Sequence, residues 1–423
     1  MDFSLLRKKS FFLLSFGSFV SLMGTLIQQF ALSLYVLNTT GSGVMFATVI
    51  AVGTIPRLVL GPFGGVLADK LDRKKTFVSL DILSGCLTLI FAVLFYIKGY
   101  LSVGEIIIYV VLIQVINAFF EPAIATVVPS ILEKEQLMGG NAFLSTMRQV
   151  ANVLSPLVAG VLYGQFGLTA VMLVNGISFL CSGFSEMFIE MPKMELTQDK
   201  MSIKYVMDEF QVGLNYVKKS KLVIGILFLG TFVNFAFGGM FSVLLPYMFL
   251  QKFGVSETQY GLFSSVICIG MVVGPGVGLL WDRFSTTENI ISRAMSLTSL
   301  MMVGLAFYTS AFVPQYYQTP IPLMIGTGVF MFVASVLISI INVCIATHIQ
   351  KTVPLEILGR VGSVISTLIM ASMPIGQMVF GAMLEVIDPS TAFLVTALFG
   401  FVGVGGFIKL TREPGQGMSK NAA

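Results

Sequence analysis

Ionisable side chains inside long apolar runs are the residues of this sequence that can carry chemistry. Arg57, Asp81, Glu121 and Arg148 each lie within such a run. A charge in a nonpolar medium is costly, so residues of this kind pair with one another or bind protons or polar ligands. Two interpretations of Glu121 stay open: a carboxylate that takes up and releases a proton, or a structural partner of Arg148. Arg57 either binds an anionic or polar group or holds Glu121 in one of two states.

Uncharged polar side chains in the same runs are candidates for the lining of a cavity. These residues are Gln28, Gln29, Gln114, Asn117 and Asn234. Catalysis is not indicated, because no nucleophile–histidine pairing or paired carboxylates occur and the single histidine, His348, lies in a predicted loop. No metal site is predicted, since the four cysteines are dispersed and have no CxxC spacing.

The composition shows which elements must position these residues. Of 423 residues, 56% are apolar and only 11% are charged, and the mean hydropathy is +0.90. Ordinary soluble domains are about 45–50% apolar and about 25% charged. A soluble enzyme, a disordered chain and a disulfide-stapled secreted domain are therefore excluded. No basic stripe suggests nucleic-acid binding. The sequence predicts an all-α integral membrane protein without cofactors.

A membrane-spanning helix needs about 20 mostly apolar residues, and we predict twelve. They are Ser10–Leu37, Ser42–Ala68, Thr76–Ile97, Glu105–Val128, Ala142–Gln165, Thr169–Glu190, Leu222–Leu250, Thr258–Trp281, Ile290–Phe312, Pro322–Thr347, Val361–Glu385 and Pro389–Lys409. The first span follows basic residues as in a signal peptide, but no small-residue cleavage site follows it, so we expect it to be retained.

The basic residues predict the orientation. If the N-terminus is cytoplasmic, 22 of the 25 lysines and arginines fall on the cytoplasmic side of the membrane. The exceptions are Lys98 and Lys252 on the outer side and Arg57 within a span. This distribution follows the positive-inside rule and places both termini in the cytoplasm. Glu186, Glu190 and Glu385 lie at span ends and are expected at the membrane interface.

A polar stretch in the middle of the chain divides the spans into two groups of six. The predicted organisation is an N-terminal bundle (1–190), a cytoplasmic linker (191–221), a C-terminal bundle (222–410) and a cytoplasmic tail (411–423). Apolar residues recur at helical spacing in the linker, which predicts an amphipathic helix along the membrane surface. A plain solvated linker helix is the alternative.

The two halves repeat each other. Residues 61–70 at the end of span 2 and residues 274–283 at the end of span 8 agree at five of ten positions and both end in an acidic–basic pair. Two six-helix halves in parallel repeat are typical of rocking transporters with a substrate site near the membrane midplane.

The loop after span 2 resembles the signature loop of the major facilitator superfamily, G-x-L-A-D-R-x-G-R-K. It reads Gly65-Val66-Leu67-Ala68-Asp69-Lys70-Leu71-Asp72-Arg73-Lys74-Lys75 here, with Lys70 and Asp72 as departures. The form of this loop, the residues 120–123 and the run 141–160 with Arg148-Gln149 resemble the macrolide-efflux branch of drug:proton antiporters. The resemblance extends over the whole chain and implies a twelve-helix fold of two pseudo-symmetric bundles.

The resemblance implies roles for two groups of residues. Gly65, Asp69, Asp72, Arg73 and Lys74 would form a gating loop, with Asp69 capping the N-terminus of span 11 and Asp282 as its counterpart in the second half. Residues 151–160 resemble the antiporter motif G-x-x-x-G-P-x-x-G-G, in which Ser155, Pro156 and Gly160 match or remain small. The alternatives are a basic cluster that only sets topology and a motif that only packs.

The resemblance also implies a function. We expect export of lipophilic or amphipathic compounds, such as macrolide-like drugs, by proton antiport with alternating access, and hence antibiotic or multidrug resistance. The expected partners are the substrate, protons and membrane lipids, and the expected state is a monomer in a bacterial cell membrane. A lysophospholipid flippase or siderophore exporter on the same fold, or a non-transporting sensor, are the alternatives.

Overall fold

A computed structural model of the chain describes residues 3–70, 73–133, 136–190, 203–282, 285–316, 320–354 and 357–411, and no strand occurs among them. The first six helices are α1 (Lys9–Thr40), α2 (Gly43–Lys70), α3 (Arg73–Lys98), α4 (Val103–Ile131), α5 (Leu137–Glu186) and α6 (Ile203–Lys219). α7 (Lys221–Gly239) continues into two π-helical stretches, Met240–Leu244 and Tyr247–Lys252. The last five are α8 (Glu257–Asp282), α9 (Thr287–Tyr316), α10 (Ile321–Thr352), α11 (Leu358–Met383) and α12 (Pro389–Thr411).

Eleven helices in the described part of the chain are long and apolar enough to cross a membrane. The number is one lower than predicted because α5, with 50 residues, joins two spans. Gly167 interrupts α5 with φ 74° and ψ −177°, a conformation that residues with a Cβ rarely adopt. We call residues 137–166 the first limb of α5 and residues 168–186 its second limb.

The two limbs of α5 are antiparallel, because both of its ends lie beside the first turns of α1. At the start of the first limb, the ring of Phe143 is 5.9 Å from that of Phe11. Just beyond the second limb, the backbone N–H of Glu190 donates to the hydroxyl of Ser10 at 3.2 Å. Each limb therefore crosses the bundle once, which restores the predicted twelve crossings and confirms the all-α membrane fold.

The start of α4 shows how local sequence fixes a helix end. The Ser102 hydroxyl accepts from the backbone N–H of Glu105 at 3.3 Å, and the Glu105 carboxylate accepts from the backbone N–H of Ser102 at 2.8 Å. This reciprocal capping box satisfies donors that a helix leaves open at its first turn. Lys98 at the end of α3 lies 2.5 Å from the same carboxylate and ties the two helices together.

The chain divides into two compact units. Unit 1 comprises Met1–Val206 with Phe249–Val266, and unit 2 comprises Met207–Met248 with Ile267–Ala423. In unit 1, α1 and α3 pack against α5, and α2 packs against α4. A cluster of buried apolar side chains from α1, α3, α4 and α5 packs around the start of α1. Its members include Phe11, Leu14, Phe77, Val127 and Phe143.

Unit 2 is organised around α7, α9 and α12. α7 packs against α11 and α12, and α9 packs against α10 and α12. The predicted amphipathic linker helix is present as α6, but part of its apolar face packs on protein. Val217 is buried in a cluster with Val361 and Val364 of α11, and the partly buried Phe210 and Leu214 pack against this cluster. At the same end the helices approach closely, because a Cβ on Gly213 would lie 2.6 Å from the Arg360 carbonyl oxygen.

Candidate functional site

A cavity of about 240 Å³ lies inside unit 1 among α1, α2, α4 and α5. We call it the arginine cavity, because Arg57 of α2 and Arg148 of α5 both line it. The other polar residues of its lining are Ser15, Ser18, Ser21, Thr25, Gln29, Gln114 and Asn117. Its apolar residues are Phe19, Leu22, Leu26, Phe120, Leu144, Met147 and Phe179. The lining thus suits a ligand with a large nonpolar surface and a few polar groups.

A smaller pocket of about 60 Å³ adjoins the arginine cavity. We call it the amide pocket, because Gln28, Gln29, Gln114 and Asn175 line it. The two spaces are neighbours, because Thr25, Gln29 and Gln114 line both of them. Oε1 of Gln114 is buried and has no hydrogen-bond partner, which leaves an acceptor for a ligand in this region.

A hydrogen-bond network holds the amide pocket together across four helical segments. Nε2 of Gln28 on α1 donates to the hydroxyl of Tyr109 on α4 at 2.6 Å. The Tyr109 hydroxyl also pairs with the Thr88 hydroxyl of α3 at 2.9 Å. Nδ2 of Asn175, on the second limb of α5, donates to Oε1 of Gln28. Ser178 completes the network by donating to Oδ1 of Asn175 at 3.2 Å.

The sequence predicts one member of this network and not the others. Gln28 was a candidate for the cavity lining, whereas Thr88, Tyr109 and Asn175 were not. Asn175 is an amide inside an apolar run, the same signal that identified Gln28, and it could have been found in this way. Tyr109 and Thr88 carry no such signal, because tyrosine and threonine are common within apolar helices.

The four predicted intramembrane charges lie in different places. Arg57 is half-buried at the arginine cavity, and Arg148 is exposed to the same cavity. Asp81 is 1% exposed within the packing of α3 against α5 and does not line the cavity. Glu121 belongs to α4, but its side chain lies outside the described residues, so both interpretations of it remain predictions.

The structure describes the surroundings of only one residue of the predicted gating loop. Asp72 falls between α2 and α3 in the gap of the described ranges. Gly65 and Asp69 belong to α2, Arg73 begins α3 and Asp282 ends α8, but the surroundings of these four residues are not described. Only Lys74 is described, as a half-buried residue in the first turn of α3.

The predicted antiporter-like motif lies where the first limb of α5 packs against the start of α8. A Cβ on Gly160 would lie 2.5 Å from the carbonyl oxygen of Glu257, and a Cβ on Gly261 would meet the carbonyl oxygen of Pro156. The Thr258 hydroxyl donates to the Gly160 carbonyl at 3.2 Å. Small residues thus let the two backbones touch, as in other membrane helix pairs.

Ser155 of the same motif is also inside the bundle. Its side chain is buried and its hydroxyl donates to the carbonyl oxygen of Ala151 one turn earlier, at 2.5 Å. A serine that bonds its own helix in this way needs no partner elsewhere and fits in an apolar interface.

Three residues lie in surroundings that the sequence did not predict. Glu186 is 0% exposed and faces α1 rather than lying at the membrane interface. The Asn234 side chain donates to the carbonyl oxygen of Gly230 in its own helix α7, at 3.0 Å. His348 belongs to α10 rather than to a loop, and its Nε2 lies 3.6 Å from Oε1 of Glu288.

Comparisons with known proteins identify the class of this fold. The solved structure of a point mutant of the nucleoside transporter NupG superposes with a TM-score of 0.73 at 14% identity, covering 95% of this chain and 100% of that one. At this identity the likeness shows the fold alone. It agrees with the resemblance seen in the sequence: this is the fold of a major facilitator transporter.

The sequence comparisons are more specific. A profile of the family described as "Transmembrane secretion effector" matches residues 1–414. The chain is 25% identical over 396 residues to macrolide efflux protein A of Streptococcus pyogenes, covering 92% of this chain and 93% of that protein. It is 23% identical over 393 residues to the multidrug efflux pump Tap of Mycolicibacterium fortuitum, covering 91% and 92%.

The chain therefore belongs to the transmembrane secretion effector family of the major facilitator superfamily. It is a multi-pass membrane transporter and not an enzyme. The expectations for family, fold class and lack of enzymatic activity are confirmed.

Proposed function

We propose that the protein is a secondary active exporter of lipophilic or amphipathic compounds that works by proton antiport with alternating access. The arginine cavity carries this proposal, because its lining combines aromatic and aliphatic side chains with amides and hydroxyls. Such a lining binds nonpolar ligands by burial and orients them with a few hydrogen bonds. Two relatives of the chain are a macrolide efflux protein and a multidrug efflux pump, which supports export as the direction.

A proton gradient is the proposed driving force. The sequence contains no Walker A pattern for ATP. One proton entering across 100 mV releases about 2.3 kcal/mol, and a pH difference adds to this. The proposed transporter is a monomer in the cell membrane. Both of its termini lie in the cytoplasm in this proposal, since the basic residues are concentrated on one side of the predicted spans.

Inverted membrane vesicles containing the full chain test this function. With an imposed proton gradient, we expect uptake of a macrolide or a cationic dye that stops when an uncoupler collapses the gradient. Asn117→Leu places an apolar group in the arginine cavity and should impair uptake, whereas Asn215→Leu on the exposed face of α6 should not. Absence of gradient-dependent uptake for both probes would contradict the proposal.

A second candidate cargo is an amphiphile with an anionic group, such as a lysophospholipid or a siderophore. Arg148 favours it, because its guanidinium lines the cavity and no acidic partner is seen for it among the described residues. Guanidinium groups bind carboxylates and phosphates through paired hydrogen bonds. The same vesicles given a fluorescent lysophospholipid and a carboxylate siderophore test this candidate, which requires that these probes are transported and that the macrolide is not.

A further inference from the structure

Asp81 and Glu186 form a buried pair of acids that belongs to neither cavity. Asp81 is 1% exposed and Glu186 is 0% exposed. The Ser182 hydroxyl, one turn before Glu186, donates to Oε1 of Glu186 at 3.2 Å. The next residue, Gly183, lies against α3, because a Cβ there would be 3.4 Å from Cβ of Asp81. The second limb of α5 therefore places Glu186 close enough to Asp81 for the two carboxyl groups to interact electrostatically. We call Asp81 and Glu186 the carboxyl pair.

Each member of the carboxyl pair has an oxygen without a partner. Oδ2 of Asp81 and Oε2 of Glu186 are buried and accept no hydrogen bond. An ionised carboxylate in such a place would be strongly destabilising, since burial removes its hydration and nothing replaces it. Two ionised carboxylates that are close together repel each other as well. A proton on one of the two acids removes their mutual repulsion and one of the two buried charges, and it provides a hydrogen-bond donor for a vacant oxygen of the other acid.

Other charged groups near the pair are few. α1 carries Lys9, which is two turns before the contact at Gly17, and the segment after α5 carries the exposed Glu190. α3 carries Lys74 and Lys75 in its first turn, about 10 Å before Asp81 along the helix axis. α3 also begins with Arg73, and α4 contains Glu121; both side chains lie outside the described residues. In the described part of the chain, no ion pair reaches either acid.

The packing leaves space for a proton rather than for a metal ion. α1 packs on Glu186 at Gly17, where a Cβ would be 3.0 Å from the Ser182 hydroxyl and 3.4 Å from Oε1 of Glu186. α3 packs equally closely on the second limb of α5, because a Cβ on Gly183 would be 3.4 Å from Cβ of Asp81. Hard cations need six or more oxygen ligands, and no group of three or more metal-binding side chains occurs among the described residues.

We propose that Asp81 and Glu186 form a proton-binding site whose occupancy controls how closely α3 packs against the second limb of α5. Loss of the proton leaves an unpaired negative charge in the buried interface between α3 and the second limb of α5. This charge is then stabilised by water that enters the interface or by a movement of α3. The role of this movement in transport rests on the proposed proton antiport, whereas the proton site itself does not.

Infrared spectroscopy of the full-length protein in liposomes tests the site directly. At neutral pH we expect the C=O stretching band of a protonated carboxylic acid, with a downshift in deuterated buffer. Asp81→Asn and Glu186→Gln should each reduce this band, because both replacements remove one acid at nearly the same volume. Glu190→Gln is the matched control, as it removes an exposed acid four residues away and should leave the band unchanged. A wild-type protein without the band, or a band that both variants retain, would overturn the proposal.

A transport assay tests the coupling. In Glu186→Gln, substrate exchange across the membrane without a gradient should stay within about twofold of the wild type, whereas gradient-driven accumulation falls by up to about fiftyfold per 100 mV and coupled proton. Gradient-driven accumulation that is unchanged in both Asp81→Asn and Glu186→Gln refutes the coupling. If the wild type transports no probe but shows the infrared band, the proposed function fails and the proton site stands.

Discussion

Nε2 of Gln28 donates to the hydroxyl of Tyr109 at 2.6 Å, and this bond links α1 to α4 at the wall of the amide pocket. The Tyr109 hydroxyl has a second partner in Thr88, so one oxygen connects three helices. Both Gln28 and Tyr109 are buried, so bulk water has little access to these bonds. The network is therefore expected to fix the shape of the pocket as well as to stabilise the bundle.

Removal of the Tyr109 hydroxyl should destabilise the protein. Tyr109→Phe leaves the Nε2 donor of Gln28 and the hydroxyl of Thr88 without this buried partner, which costs about 1–3 kcal/mol. We expect a lower unfolding temperature in detergent. Tyr96→Phe is the control, because Tyr96 on α3 is 78% exposed. Equal unfolding temperatures for Tyr109→Phe and the wild type would show that the network does not stabilise the bundle.

The contact between α5 and α8 should be sensitive to one added methyl group. Gly261→Ala drives a Cβ into the Pro156 carbonyl, and overpacking of this kind costs about 1–3 kcal/mol. Gly276→Ala in the same helix has nothing within 4 Å of its Cβ. It should leave stability unchanged or raise it by up to about 1 kcal/mol, since glycine is a poor helix former. The unfolding temperatures of the two variants make the comparison, and an equal effect of both would contradict the close approach.

Arg148 should discriminate between cargoes by charge. Hydrogen bonds to a charged group contribute about 1.5–3 kcal/mol, so Arg148→Gln should weaken the binding of an anionic amphiphile by about tenfold or more. Binding of a cationic dye should be unchanged or stronger. Fluorescence titration of purified protein measures both affinities, with Arg7→Gln outside the cavity as the control. An equal loss for both ligands would assign Arg148 a structural role.

The gating role that the family resemblance implies for Asp69 predicts a kinetic effect. A carboxylate at a helix N-terminus contributes about 0.3–2 kcal/mol. Asp69→Asn should thus change the rate of gradient-driven uptake by about twofold to thirtyfold. Asp208→Asn on an exposed part of α6 is the control. A transport rate that is identical in Asp69→Asn and wild type would remove Asp69 from the gate.

The spans and the family were predictable from the sequence, because hydropathy and a loop signature are local properties. The burial of the Glu186 side chain was not predictable. Its place at the end of a predicted span suggested an interfacial residue, but its side chain is turned inward by the packing of α1 at Gly17. Burial of this kind depends on which face of a helix meets its neighbour, and the nearly uniform apolar character of these helices leaves that face unmarked.

The residues of the cavity show the same contrast between what local sequence predicts and what helix packing decides. Gln29, Gln114 and Asn117 could be predicted as lining residues because amides in apolar runs are rare, and all three line the described spaces. Asn234 gives the same signal, and its place at a cavity stays a prediction; its side chain donates to the carbonyl oxygen one turn earlier in its own helix. Composition marks a polar side chain as unusual, but only the helix arrangement decides whether a cavity or the backbone satisfies it.

The single-residue turn at Gly167 has a mechanical consequence. The first limb of α5 bears Arg148 at the arginine cavity, and the second limb bears Glu186 in the carboxyl pair. Because a single residue separates the two limbs, a movement of one limb is transmitted to the other. The length of this turn, rather than any side chain, therefore determines how strongly movements at the arginine cavity and at the carboxyl pair are coupled. Flexible residues inserted beside Gly167 would weaken this coupling.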